Sequence, residues 1–217
     1  MRQAVSISNP LGTERIEKLI VRFSIPSIIS IVVNSLYNMV DQVFIGQSVG
    51  YLGNAATNII LPLTVIMLAI SMLIGDGTAS YMSLNLGKGR ERSAAYGVGN
   101  AVTLLIGISV VLLIIFEIFL QPLCLMFGAT EANLHYALEY GRIIILAFPF
   151  AMIDAAFGSI IRADNRPKNS MIGLLIGCVI NIILDPIFIF VFNWGVKGAA
   201  LATVIGQILN AFYFIAC

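Results

Sequence analysis

The sequence is poor in charged residues. Only 11% of its 217 residues are Asp, Glu, Lys or Arg and 59% are hydrophobic, whereas a typical soluble domain carries about 25% charged residues. Because so few charges cannot cover a water-facing surface, the composition excludes an ordinary soluble domain. The net charge of +1 points to no nucleic-acid or acidic partner. The mean hydropathy of +0.97 instead predicts a membrane protein.

Cysteine and histidine are also scarce. The three cysteines, Cys124, Cys178 and Cys217, lie in apolar surroundings without a C-x-x-C pair, which argues against a disulfide framework and a metal site. The single histidine, His135, lies in a polar stretch and is interpreted as a solvated loop residue. The sequence shows no hydrolase triad, phosphate-cradling loop or metal motif. We therefore predict neither an enzyme nor a bound cofactor.

Six apolar segments are long enough to cross a bilayer, which takes about 20 mostly apolar residues. We predict an all-α, polytopic membrane protein with a cytoplasmic tail over residues 1–18 and a six-helix transmembrane lobe over residues 19–217. The predicted spans cover about 19–45, 54–86, 94–120, 139–161, 170–192 and 196 to the chain end. The first span is too long for the roughly 7–15 apolar residues of a cleavable signal peptide.

The basic residues fall on alternate connections between these spans. With the N-terminus inside, four lie in the N-terminal region, three between the second and third spans and three between the fourth and fifth, so that ten of the twelve are cytoplasmic. Only Arg142 and Lys197 fall outside. The positive-inside rule therefore predicts an inner-membrane protein with a cytoplasmic N-terminus.

Polar side chains inside the spans are the candidate functional residues, since a charge at the bilayer centre costs at least about 2.5–3.5 kcal/mol and usually has a task. Four aspartates qualify: Asp41, Asp76, Asp154 and Asp185. Three spans also carry polar residues at helical spacing, which gives each span a polar face. These faces comprise Asn34, Tyr37, Asn38 and Asp41 in the first span, Asn181 and Asp185 in the fifth, and Thr203, Gln207 and Asn210 in the sixth.

The depths of three of these residues agree. At about 1.5 Å per residue, Asp41, Asp185 and Thr203 all fall in the outer half of the bilayer, as a single cation site would require. Two carboxylates in one apolar site cannot both stay ionised without a counter-charge. Asp41 and Asp185 are therefore candidates for a proton relay or, with Asn181 and Thr203, for Na⁺ ligands. Pro186 frees a carbonyl on the preceding turn that could also bind a hard cation.

Structural interpretations of the aspartates stay open beside the functional one. Asp41 could face the outer headgroups, and Asp185 could only shape a kink before its proline. Asp154 could pair with a nearby arginine or with backbone. Asp76, which lies between two glycines, could serve helix packing or a hinge.

Five segments carry a resemblance to a known family. They are residues 41–46 (DQVFIG), 86–89 (LGKG), 162–168 (RADNRPK), 181–186 (NIILDP) and 195–200 (GVKGAA). With these segments, the chain resembles the N-terminal lobe of the multidrug and toxin extrusion (MATE) family, within the wider flippase superfamily. The resemblance implies a bacterial or archaeal transporter of two six-helix lobes that exchanges external H⁺ or Na⁺ for amphiphilic, cationic small molecules by alternating access.

The resemblance also assigns residues. It implies a cation site at Asp41, Asn181, Asp185 and Thr203, with H⁺ or Na⁺ as the coupling ion and no other cofactor. It adds Tyr140 and Asp154 as candidate cavity residues. The polar faces described above add Asn34, Tyr37, Asn38 and Gln207 to that cavity.

The length departs from the family, because half of the expected chain is absent. The last span also ends without a basic flank, so we expect a second lobe from a longer chain or from a second copy in a homodimer. Two other functions stay open. A lipid-linked oligosaccharide flippase would need cationic residues within the spans, where this chain has almost none. A truncated, non-transporting membrane subunit is the other.

Overall fold

The computed structural model describes residues 15–217, apart from the side chain of Arg22. The predicted tail over residues 1–18 lies mostly outside this range, and the first helix begins three residues before the predicted boundary at Leu19. The described elements are α1 (Ile16–Val49), α2 (Tyr51–Gly87), α3 (Glu91–Ile118), α4 (Leu120–Met126), α5 (Leu134–Leu146), α6 (Phe148–Ala163), α7 (Pro167–Pro186), a π-helical segment (Ile187–Val191) and α8 (Gly195–Ala216). No strand occurs among these residues, so the predicted all-α fold is confirmed.

The spanning helices follow the predicted order. Within residues 15–217, five helices are long and apolar enough to cross a membrane: α1, α2, α3, α7 with its π-helical extension, and α8. The pair α5 and α6 makes a sixth if the two are counted as one span. The multi-pass membrane architecture predicted from the sequence is therefore confirmed.

The fourth span differs from the continuous helix that was predicted over residues 139–161. It is broken at Ala147, where α5 and α6 meet at an angle of 61°. Pro149 lies in the first turn of α6, where its missing N–H and its ring prevent α5 from continuing unbent. The span therefore consists of two half-helices that reach different neighbours.

His135 lies in the first turn of α5 rather than in a loop. Its side chain is exposed, and its Nε2 lies 2.9 Å from Oε1 of Glu139, one turn further along the helix. The loop interpretation was wrong about the backbone because the helix begins five residues before the predicted start of the fourth span. The three cysteines are all free, and Cys124 and Cys178 are buried.

Close helix contacts through glycine hold the lobe together. A Cβ atom built on Gly75 of α2 would lie 2.7 Å from the Cα atom of Ala156 in α6. A Cβ on Gly206 of α8 would lie 3.0 Å from the carbonyl oxygen of Gly177 in α7. Helix α1 leaves a long row of apolar side chains exposed and packs mainly against α7. This arrangement places α1, α7 and α8 side by side.

Candidate functional site

The polar faces of α1, α7 and α8 meet at one end of the lobe. Asp41 comes from the last third of α1, Asp185 from the last turn of α7 and Thr203 from the third turn of α8. Asp41 is 6% exposed and Asp185 is 0% exposed. Because α7 packs between α1 and α8, three residues far apart in sequence share one buried pocket of polar groups.

Hydrogen bonds connect the neutral members of this cluster. The Tyr37 hydroxyl lies 3.3 Å from Thr203 Oγ1. The oxygen and nitrogen of the Asn181 amide can be assigned in two ways, and in one of them Nδ2 donates to Thr203 Oγ1 at 3.2 Å. In the other, Nδ2 donates to Asp185 Oδ2 at 2.6 Å, while Oδ1 accepts from Thr203 Oγ1 at 3.2 Å and from the Thr203 backbone N–H at 3.0 Å. We adopt the second orientation because it pairs both amide atoms.

The second orientation fixes the donor and the acceptor of each hydrogen bond in the cluster. Since the Thr203 hydroxyl donates to Asn181, its oxygen is left to accept from Tyr37. Donors then follow one another from Tyr37 through Thr203 and Asn181 to a carboxylate oxygen of Asp185. The last donor in this series is the Asn181 N–H, and its acceptor is Oδ2 of Asp185. Asp185 is therefore either ionised or carries its proton on the other oxygen.

The two carboxyl groups at the end of this chain face each other. Asp41 and Asp185 lie within hydrogen-bonding reach of one another, and Oδ1 of each is buried without a hydrogen-bond partner. Among the ion pairs between described residues, none involves either aspartate. Two bare carboxylates in such a place repel strongly. A proton or a cation between the two carboxyl groups would remove that repulsion.

The donor set suits either of these ions. The oxygens available from Tyr37, Asp41, Asp185 and Thr203 are the hard ligands that alkali and alkaline-earth cations prefer. No group of three or more His, Cys, Asp or Glu side chains able to hold a metal ion occurs within residues 15–217. Such a set of oxygens can hold H⁺, Na⁺ or another hard cation.

The other candidate cavity residues divide into two groups. Tyr140 on α5 is near Tyr37, Asp41 and Asp185, and so borders the cluster. Asn34 and Asn38 are exposed, and they bond to each other, with Asn38 Nδ2 donating to the Asn34 carbonyl oxygen at 2.7 Å. They share the polar face of α1 but lie outside the buried cluster.

Gln207, Asp76 and Asp154 also lie away from the buried cluster. Gln207 is half-buried on α8, one turn beyond Thr203. Asp76 is exposed on α2. Asp154 lies on α6, and its Oδ1 accepts a hydrogen bond of 2.5 Å from Nδ2 of Asn210 on α8.

Two polar contacts were missed by sequence reasoning. The sequence offered an arginine as a partner for Asp154, but Arg162 instead donates to Ser159 and Ser170, at 2.8 and 3.3 Å. The actual partner, Asn210, belongs to the polar face predicted for the sixth span. The sequence therefore singled out Asn210 as a polar residue within a span but did not predict that it pairs with Asp154. The second contact is the hydrogen bond of 3.2 Å from the Thr57 hydroxyl on α2 to Gln42 Oε1, beside Asp41. Nothing in the spacing pointed to it.

Known proteins resemble the chain over most of its length. Residues 26–187 match the model of the MatE family. The multidrug export protein MepA of Staphylococcus aureus (strain NCTC 8325 / PS 47) is 29% identical over 198 residues, which make up 91% of this chain and 44% of the relative. MepA of Staphylococcus saprophyticus is 30% identical over 209 residues, with the same coverage of both chains.

Solved structures show the same relation. A multidrug resistance MATE transporter of the MOP superfamily in an outward-facing conformation is 27% identical, with a TM-score of 0.86 over 91% of this chain and 44% of that one. A MOP superfamily transporter from Pyrococcus furiosus gives the same values, and its description reports reverse polarity of the binding pocket. The chain thus spans less than half the length of the relatives that it matches.

Proposed function

The chain belongs to the MatE family, and we propose that it is the N-terminal lobe of a cation-coupled multidrug efflux antiporter. Its relatives are named as multidrug export proteins and are more than twice as long as the matched region. The proposed lobe covers residues 19–217 and lies in a bacterial or archaeal cytoplasmic membrane with its N-terminus inside. A second lobe, from a longer chain or from a second copy, would complete the transport path.

The facing pair of Asp41 and Asp185 carries this proposal. A buried ion costs several kcal/mol even after the protein relaxes, and here two carboxyl groups share one pocket without a basic partner among the described residues. One proton or one Na⁺ between them removes the repulsion. The ion therefore favours the packing of α1 against α7 that the structure shows.

Loss of the ion couples ion release to binding of the cationic substrate. Once both carboxylates are bare, their repulsion favours moving α1 away from α7, and the freed negative charge attracts a cationic substrate. Because the coupling ion and the cationic drug neutralise the same charge, binding of one disfavours binding of the other. Competition of this kind is what an antiporter needs.

The position of the cluster supports coupling to an external ion. Asp41, Asp185 and Thr203 lie toward the end of the lobe where α7 ends and α8 begins. The basic loops, with Lys88, Arg90 and residues 162–168, lie at the opposite end. With the basic end in the cytoplasm, the cluster belongs to the outer half of the membrane, within reach of ions from outside.

Efflux of a fluorescent cationic dye from cells that express the full chain tests the proposal. Wild type is compared with Asp41→Asn and Asp185→Asn at matched membrane levels. Glu131→Gln serves as the control, since it removes a carboxylate that is exposed in the loop before α5. We expect efflux that requires an ion gradient, fails in both aspartate variants and persists in the control.

Two outcomes would each contradict one part of the proposal. Gradient-driven efflux at the wild-type rate in both aspartate variants would show that the pair does not couple transport. No efflux from well-inserted wild type would contradict transport by a homodimer of this chain and would require a covalent second lobe.

A further inference from the structure

Three aromatic rings pack together on the connection from α7 to α8. The ring centroids of Phe188 and Phe192 lie 5.9 Å apart, those of Phe188 and Trp194 lie 5.5 Å apart, and those of Phe192 and Trp194 lie 5.1 Å apart. We call these three residues the aromatic cluster. Because ring pairs at such distances stabilise one another, the cluster is one packed unit rather than three separate side chains.

The backbone holds the aromatic cluster against the lobe. The Phe192 N–H donates to the Ile187 carbonyl oxygen at 3.0 Å, and the Trp194 N–H donates to the Phe188 carbonyl oxygen at 3.1 Å. A Cβ atom on Gly198 of α8 would lie 2.8 Å from the carbonyl carbon of Phe188, so α8 touches the backbone of this connection directly. The cluster therefore keeps a fixed position relative to α7 and α8.

The aromatic cluster is nevertheless open to its surroundings. Trp194 is 48% exposed and Phe192 is 51% exposed, although both side chains are large and mostly apolar. A tryptophan in such a position can place its rings against apolar chains while its indole N–H bonds to water or to polar lipid groups. This combination is the reason why tryptophan is enriched where a membrane meets water.

The surface on either side of the aromatic cluster changes from apolar to polar. Before it, Ile183, Ile187 and Val191 follow one another at intervals of four residues, and all three are exposed. Exposed apolar residues of a spanning helix face the hydrocarbon of the bilayer. After the cluster the polar side is reached, since Asn193 at the turn is exposed and Lys197 in the first turn of α8 is half-exposed. The cluster therefore lies at the boundary between a lipid-facing and a water-facing surface.

We propose that the aromatic cluster inserts into the interface between lipid headgroups and hydrocarbon, at the end of the lobe where α7 ends and α8 begins. Asp185 precedes Trp194 by nine residues and Thr203 follows it by nine. At about 1.5 Å per residue, both lie up to about 13 Å from the cluster. The membrane contact thus places the aspartate pair beneath this interface. The inference goes beyond the proposed transport function and does not depend on it.

Fluorescence of Trp194 tests the proposal, because this residue is the only tryptophan in the chain. The full chain is reconstituted into phosphatidylcholine vesicles whose acyl chains carry bromine either close to the headgroup or close to the bilayer centre. Bromine quenches tryptophan on contact, and iodide in the buffer quenches tryptophan that is open to water. The variant W194F/L104W is the matched control, since it moves the tryptophan to an exposed position in the middle of α3. Circular dichroism verifies that the variant folds.

We expect bromine close to the headgroup to quench Trp194 more strongly than bromine close to the bilayer centre. Iodide should quench Trp194 only weakly, because lipid covers most of the ring. The order of the two bromine positions should reverse in W194F/L104W, whose tryptophan lies deeper in the hydrocarbon.

Three results would overturn the proposal. Stronger quenching of Trp194 by bromine close to the bilayer centre would place the aromatic cluster in the hydrocarbon core. Strong quenching by iodide without quenching by bromine would place it in water. Protection from both quenchers would show that protein covers the cluster, as a second copy of the chain would.

Discussion

Gly75 and Gly77 flank Asp76 in α2 and have opposite surroundings. A Cβ atom on Gly75 would lie 2.7 Å from Cα and 2.9 Å from the carbonyl oxygen of Ala156, so it would collide with the backbone of α6. A Cβ on Gly77 would meet nothing within 4 Å. The substitutions Gly75→Ala and Gly77→Ala therefore add the same methyl group to one helix, two residues apart, with and without a clash.

The sizes of the two effects can be separated. Forcing a methylene-sized group into a packed contact costs about 1–3 kcal/mol, and backbone atoms cannot escape by changing a rotamer. Both substitutions also raise helix propensity, by up to about 1 kcal/mol in water, and by less where the unfolded chain stays helical in detergent or lipid. Because both variants gain the same helix propensity, this gain drops out when their unfolding free energies are compared. The remaining difference is the cost of the clash, so Gly75→Ala should be less stable than Gly77→Ala by about 1–3 kcal/mol.

Unfolding of the purified variants in detergent, followed by circular dichroism, measures that difference. We expect Gly75→Ala to be less stable than wild type and Gly77→Ala to equal or exceed wild type. Equal stability of the two variants would refute the reasoning, because it would mean that α2 and α6 do not meet at Gly75.

Three further substitutions test other parts of the lobe. Gly173→Ala should destabilise the protein by about 1–3 kcal/mol, since its Cβ would overlap the buried ring of Phe214; an unchanged unfolding midpoint would count against this α7–α8 contact. Asn210→Ala should cost about 1–3 kcal/mol in unfolding free energy by leaving Asp154 without its hydrogen bond. The loss should shrink when Asp154→Ala is already present, because the acceptor is then absent, and strict additivity would contradict the pairing. Lys197→Gln should change stability by less than about 1 kcal/mol, because its ion pair with Glu139 of α5 is half-exposed. A larger loss would contradict this weak contribution of the pair.

Hydropathy and helical spacing predict much of this lobe, because length decides which segments can span and periodicity decides which residues share a face. The same rules place Asp41, Asp185 and Thr203 at one depth, and the structure brings these three together. Helical spacing does not show how much of a polar face the neighbouring helices cover. Asn34 and Asn38 share the face of Asp41 yet stay exposed, since α7 and α8 cover only the part of the face nearest the aspartate.

The residue pattern of a single sequence does not show which helices pack against each other. The bend between α5 and α6 follows from Pro149, but its size depends on how both half-helices pack. The pairing of Asp154 with Asn210 likewise needs α6 and α8 to cross at that level. Neither the angle nor the crossing follows from periodicity, which describes each helix separately.

Linkage between ion binding and stability tests most directly whether Asp41 and Asp185 share one coupling ion. The unfolding of the purified chain is measured with Na⁺ or choline at alkaline pH, and then over a falling pH series in choline. An ion that binds only the folded chain stabilises it by about 2.7 kcal/mol at a hundred times its dissociation constant. We predict that Na⁺ or H⁺ stabilises wild type and Glu131→Gln in this way, and that Asp41→Asn and Asp185→Asn no longer respond. A wild type that responds to neither ion, or aspartate variants that respond like wild type, would contradict the account.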